Sequence, residues 1–217
     1  MRRLNNKAGC RDEGHPVFAA LYDPIGACME RGWMGGRRAR LLGGASGAVL
    51  EVGGGTGANL PHYRDVDRVT VAEPDPFMRQ RLGPKRADAR VPVEVSSAGA
   101  EALPFPDGSF DTVVSTLVLC TVRDQELSLE EIRRVLRPGG RLLFIEHVRA
   151  AGSAARWQDR IEPLWGRIFG GCHPNRDTVA AIEGAGFGIE TFEDFYPPVL
   201  LSGLTPHVQG SAIIRRA

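Results

Sequence analysis

The stretch Ala48-Val49-Leu50-Glu51-Val52-Gly53-Gly54-Gly55-Thr56-Gly57 decides the fold. A short apolar run suited to a buried parallel strand passes directly into a turn carrying glycine at four of the next five positions. Glycines there let the backbone approach a ligand closely, and open α/β sheets bind ligands at the carboxyl ends of their strands. Working outward, RVTVAE (Arg68–Glu73) reads as the second strand and ends in a carboxylate 20 positions after Gly53. A carboxylate at that place can accept hydrogen bonds from both ribose hydroxyls of an adenosine. Gly53-x-Gly55-x-x-Ala58 also satisfies the dinucleotide fingerprint, so the turn alone does not separate a nicotinamide cofactor from another adenosine cofactor. The bland alternative is a tight turn beside a surface glutamate.

Further strands are expected at VPVEVS (Val91–Ser96), FDTVVST (Phe110–Thr116) and RLLFIEHV (Arg141–Val148). Helices are expected within Thr56–Tyr63, over Asp75–Leu82, over Gln125–Leu136 with Pro138-Gly139-Gly140 as its stop, within Gly152–Gly171, and over Arg176–Ala185. Strand–helix alternation implies a parallel sheet covered on both faces. Two late strands, Gly188–Phe195 and His207–Arg215, lack a helix between them and suit an antiparallel hairpin. His15–Leu42 reads as one or two helices interrupted near Pro24, and the first dozen residues as a mobile polar tail. The expected division is a tail and helical cap over 1–47 and one α/β domain over 48–217.

Lys plus Arg number 27 against 26 Asp plus Glu, a net charge of +1, which leaves no electrostatic footprint for nucleic acid. The local cluster Arg37, Arg38 and Arg40 reads as a solvated helix face. Cys10, Cys28, Cys120 and Cys172 are scattered with no C-x-x-C pair, so neither a disulfide framework nor a structural zinc site is expected. No segment approaches the roughly 18 apolar residues of a membrane span, and no signal peptide is evident, so the expected location is the cytoplasm.

Downstream motifs separate the cofactors. SSAGAEALPFPDGSFDTVVSTLVLCTV (Ser96–Val122) and EEIRRVLRPGGRLLFIEH (Glu130–His147) resemble the class I S-adenosylmethionine-dependent methyltransferases. With the E-x-G-x-G-x-G loop Glu51–Gly57 and Glu73, four motifs stand in order across Ala48–Val148. The resemblance implies a Rossmann-like, doubly wound α/β fold with a seven-stranded, mostly parallel sheet, a C-terminal antiparallel hairpin and an N-terminal helical cap. It implies donor contacts from Glu51, Gly53, Gly54, Gly55, Gly57, Asn59, Glu73, Pro74, Gly99, Ala100, Glu101, Thr116 and Leu117. Many members carry an Asp where this chain has Gly99, so adenine is expected to be read by backbone near Gly99 and Ala100 or by another side chain. S-adenosylmethionine is the implied cofactor, and no metal is expected.

A narrower likeness spans HPVFAALYDPIG, LVLCTV, IEHV, the run from Trp157 to Trp165, Gly171-Cys172 and Ala185–Phe187. These are similar to the alkyl-thiol S-methyltransferase group, whose eukaryotic members carry a membrane anchor of a kind this sequence lacks. The L-P-F-x-D-x-S-F-D motif is shared with quinone C-methyltransferases. The implied reaction is in-line transfer to a small, apolar acceptor such as a thiol, with chemistry supplied by the donor's own charge. Tyr22, Trp157, Trp165, Cys172 and His173 are the expected acceptor wall, with Trp157–Phe169 and Phe18–Tyr22 enclosing it; ordinary helix packing is the alternative. Glu146 and His147, ending the fifth strand, are the base candidates. Cys120 is expected to be a small buried apolar residue. Three other functions compete: C- or O-methyl transfer of quinone type, a nicotinamide oxidoreductase (disfavoured by the lack of a Tyr-x-x-x-Lys pair), and a non-catalytic module that senses the donor.

Overall fold

The computed structural model describes residues 14–198, 203 and 205–215; the expected polar tail lies outside them. Seven strands form one sheet: β1 Ala48–Val52, β2 Arg68–Ala72, β3 Val93–Ser96, β4 Phe110–Thr116, β5 Leu136–His147, β6 Phe187–Phe195 and β7 His207–Ile214. Their order is β3-β2-β1-β4-β5-β7-β6. The first five strands pair in parallel, whereas β7 runs antiparallel to both neighbours. The order reverses between β1 and β4, which places the glycine turn at the topological switch point.

Alternation within each strand divides the core in two. Leu50, Val113, Leu142 and Phe144 pack on one side with Leu129 and Ile132 of α4 (Gln125–Val135) and Ile182 of α6 (Thr178–Gly184). Val49, Val114, Leu143 and Ile145 pack on the other with Leu82 of α3 (Pro76–Ala87) and Leu42 of α2 (Gly35–Leu42). Among the described residues no helix is long and apolar enough to cross a membrane.

Three local expectations need correction. Pro24 lies inside a continuous helix, α1 (Pro16–Met29), and the irregularity comes later, as a π turn over Glu30–Met34. That turn re-phases the chain so that Met34 and then Arg38 face inward, both almost fully buried. No helix forms over Thr56–Tyr63 beyond one 3-10 turn, Leu60–His62. Gly55 and Gly57 hold φ at +54° and +81°, outside the right-handed helical region, so the chain stays in turns. Pro138-Gly139-Gly140 does not precede β5 but bulges within it: the pairing jumps from Phe110↔Leu136 to Thr112↔Arg141.

Candidate active site

Gly53 and Gly55 build a cradle. Gly53 has φ +58°, and a Cβ there would come within 2.5 Å of a Val118 methyl, so only glycine fits between β1 and the loop after β4. At Gly55 a Cβ would meet no atom within 4 Å, so this part of the turn faces open space. Glu73, buried at the end of β2, accepts the Gly55 N–H at 2.7 Å and the Asp75 N–H at 2.8 Å. Burial raises its carboxyl pKa against those two hydrogen bonds. Pro74 follows on the exposed surface, its carbonyl accepting from Arg79.

Beside the cradle lies a buried polar hub. Glu51 accepts from Asn59 Nδ2 at 3.1 Å and from the Tyr63 hydroxyl at 2.8 Å. Burial pushes the Glu51 carboxyl up to about 7, opposed by Tyr63, Arg38 and Asn59. Arg38 donates to Asn59 Oδ1 at 2.8 Å and to Thr116 Oγ1 at 3.0 Å, while its Nε reaches Glu30. Tyr22, Arg38, Glu51, Gly55, Asn59 and Thr116 all line one recess. Arg38 is only 3% exposed, so the expectation of a solvated face fails for this member of the arginine cluster. Arg40 is exposed as expected, and Arg37 stacks on Phe195 with its guanidinium carbon 3.6 Å from the ring centroid.

α1 is fastened over the turn. Thr56 donates to Asp23 at 2.6 Å, and Lys85 of α3 donates to both. His15 N–H reaches Asp75, which also caps α3 through Phe77 and Met78. On the other flank, Gly99 and Ala100 start a turn after β3, with the Ala102 N–H donating to the Gly99 carbonyl. Glu101 accepts the Arg123 N–H at 3.0 Å, linking that turn to the loop after β4.

Leu117, following Thr116, is the only non-glycine residue with positive φ among the described residues, at +60°. Such a conformation persists only where surrounding contacts enforce it. Glu146 supplies them: its carboxylate accepts from Ser115 Oγ at 2.7 Å and from the N–H groups of Val118, Leu119 and Cys120. Glu146, expected as a base candidate, is fully buried with both oxygens engaged and anchors this loop.

His147 stands differently. Its Nδ1 lies 3.3 Å from Cys172 Sγ and 3.6 Å from Cys120 Sγ, and the two sulfurs are 3.7 Å apart. Cys120 is buried as expected, yet it belongs to a polar cluster. Cys172 is drawn down to about 5, first by the Cys120 thiol and then by His147 and Trp165, against burial. Cys120 is correspondingly pushed well above its ordinary value. The segment that carries Cys172 docks on the β4 loop: the His173 N–H donates to the Cys120 carbonyl, and Arg176 donates to the carbonyls of Leu119 and Val122. The His173 ring pairs with Glu162 at 2.5 Å, making it part of the wall's frame.

α5 (Gly152–Ile168) only partly encloses this region. A Cβ on Gly170, just beyond α5, would come within 2.8 Å of the Phe18 ring, so the end of α5 does meet α1. Trp165 packs on Phe169 with centroids 4.3 Å apart, and its indole N–H is buried without an ordinary hydrogen-bond partner. Trp157, in contrast, is 54% exposed beneath Arg160 and is not part of the buried wall. Asp23, Ser115 and His207 were not singled out by the sequence, and Arg38 was read there only as part of a solvated helix face. His207 is buried with its ring 4.2 Å from that of His147.

A methyltransferase-domain family model matches residues 50–144. Human thiol S-methyltransferase TMT1B is 42% identical over 179 residues, covering 79% of this chain and 73% of that protein. The ubiquinone/menaquinone biosynthesis C-methyltransferase UbiE of Hahella chejuensis is 39% identical over 108 residues, 47% of this chain and 43% of that one. The crystal structure of YcgJ from Bacillus subtilis shares the fold, with a TM-score of 0.66 at 16% identity, covering 84% of this chain and all of that one. With the glycine cradle, Glu73 and the order of the sheet, these likenesses identify the chain as an enzyme of the S-adenosylmethionine-dependent methyltransferase family, the family that includes thiol S-methyltransferase TMT1B.

Proposed function

We propose that the acceptor is a small apolar thiol, methylated on sulfur. The observation that carries this reading is the extent of the likeness to TMT1B. It covers 79% of the chain, whereas the likeness to UbiE covers 47%. The sulfonium of the donor is already activated, so the chain's task is to hold an acceptor atom about 3 Å from the methyl carbon on the leaving-sulfur axis, worth ~7–11 kcal/mol.

In this reading the Gly53–Gly57 turn and Glu73 hold the adenosine, and Arg38, Asn59 and Thr116 receive the amino-acid end of the donor. Tyr22, Leu117 and Trp165 shape the acceptor side. A thiol with pKa near about 8.5 ionises with little help, and His147 is the group placed to take its proton. As the sulfur attacks, its charge is cancelled against the sulfonium, a change that a site sheltered from water favours.

The second reading, C- or O-methylation of a quinol-type acceptor, draws on the UbiE likeness. Incubating the reduced protein with labelled donor and either alkanethiols or quinols separates the two. Thioether formation from thiols alone is the expected result; transfer confined to quinols would reject it.

A further inference from the structure

Cys120, His147 and Cys172 come from three separate segments: the loop after β4, the last residue of β5 and the turn after α5. Their donor atoms all lie within 4.8 Å of one another. The edges of the triangle are 3.7 Å between sulfurs, and 3.6 and 3.3 Å from the sulfurs to His147 Nδ1. A tetrahedral Zn²⁺ with Zn–S of about 2.3 Å and Zn–N of about 2.05 Å requires a sulfur–sulfur edge of about 3.8 Å and sulfur–nitrogen edges of about 3.6 Å. One face of such a site is therefore already assembled. A simple disulfide pair would need no imidazole in contact with both sulfurs, and bonded sulfurs stand about 2.05 Å apart.

The three ligands are held by backbone hydrogen bonds that tie their segments together. The Cys120 backbone is fixed at both ends, its N–H by Glu146 and its carbonyl by the N–H of His173. His147 is set by the β5–β7 ladder, and its carbonyl accepts from Thr178. The Cys172 N–H donates to the Phe169 carbonyl. Among the described residues no fourth His, Cys, Asp or Glu joins the group. Three protein ligands with one vertex left over is the arrangement of catalytic rather than structural zinc sites.

We infer that Cys120, His147 and Cys172 form a soft-metal site for Zn²⁺, and that its fourth vertex receives the sulfur of the acceptor. The first half rests on this chain's own geometry; the second rests on the thiol reading above. The cluster shares its loop with the donor cradle: Val118, two residues before Cys120, is the residue that a side chain on Gly53 would strike.

The chemistry balances. Two thiolates and a neutral imidazole cancel the charge of the cation. The acceptor thiol joins as a thiolate and its proton passes to solvent. One of its lone pairs forms the new bond to the methyl carbon as the bond to the donor sulfur breaks, and that electron pair stays on the donor sulfur. The thioether product is neutral, a weaker ligand, and leaves. With the cation bound, His147 serves as a ligand and the metal promotes ionisation of the thiol, in place of the proton acceptance assigned to His147 above.

The test uses the full chain, reduced and stripped with a chelator, titrated with Co²⁺. The expected result is a thiolate-to-cobalt charge-transfer band saturating at one equivalent and erased by Zn²⁺. The band is lost in Cys120→Ser and Cys172→Ser while S-adenosylhomocysteine binding persists, which shows those variants are folded. Adding an alkanethiol, but not the matching alcohol, should shift the cobalt d–d bands. Absence of the band in the reduced wild type, or its survival in both serine variants, overturns the site. A band indifferent to thiols, or thiol methylation unchanged after metal removal, overturns the role of the fourth vertex and leaves the thiol reading standing. A band that responds to thiols, with no thiol methylated, instead rejects that reading and retains the site.

Discussion

Glu73 Oε2 accepts the N–H of Gly55 at 2.7 Å, so the end of β2 holds the open side of the glycine turn. In the proposed reading the same carboxylate also accepts from the ribose of the donor. Hydrogen bonds to a charged group contribute ~1.5–3 kcal/mol, and Glu73→Ala should weaken S-adenosylhomocysteine binding by about 10- to 100-fold. Calorimetric titration measures it, with circular dichroism to confirm that the sheet survives. Unchanged affinity would remove Glu73 from the donor site.

Gly53 and Gly55 should respond differently to alanine. At Gly53 the new methyl meets Val118 in addition to the positive φ, so the loss should appear in thermal stability, at roughly 2 kcal/mol or more. At Gly55 there is room, and the conformational strain alone costs ~1–2 kcal/mol. Gly55→Ala should therefore lose donor affinity out of proportion to its change in Tm.

Stability should carry two opposed pH slopes. Burial raises Glu51 to about 7 from 4.5, so the folded chain keeps a proton that the unfolded chain has released. Its contribution falls as pH climbs from about 4.5 to about 7. Burial, followed by the nearby charge of His147, lowers His207 to about 3 from 6.5. The unfolded chain then binds the extra proton, and this contribution rises with pH between about 3 and about 6.5. Denaturant melts across pH should show a steeper rise for Glu51→Gln and a shallower one for His207→Asn. Parallel curves for all three proteins would contradict both assignments.

Two tryptophans of α5 offer a spatial control. Trp157 is 54% exposed, and Trp157→Ala should change stability by no more than about 0.5 kcal/mol with turnover retained. Trp165→Ala should lower kcat/KM for the acceptor by about ten- to a hundredfold while donor affinity holds. Equal effects from the two substitutions would dissolve the distinction between wall and surface.

Much of the sheet was legible because its signals are local. Apolar runs such as VLEV and TVV, each closed by a glycine turn or a polar residue, put most strand boundaries within a residue or two of the observed ones. That Glu73 meets the glycine turn was legible because the two sit at a spacing set by one strand–turn–strand passage. What escaped depends on three-dimensional encounter. Cys120, His147 and Cys172 lie 25 or more positions apart and meet only because β4 adjoins β5 and the turn after α5 folds back on both. Arg38 was hidden by its charged neighbours, although Met34, Arg38 and Leu41 share a helix face that marks it as inward. A carboxylate closing the apolar run LLFIE was likewise a sign that Glu146 must be buried among donors.

β7 lies between β5 and β6, although β6 precedes it along the chain. During synthesis, β6 therefore leaves the ribosome before the strand that must join it to the sheet. Until β7 threads between them, both β5 and β6 present unsatisfied edges, of the kind that recruit other polypeptides. The nascent chain is thus most exposed to aggregation late, when most of the donor pocket has already been made, and slowing translation across Phe187–Ile214 should lengthen that vulnerable interval.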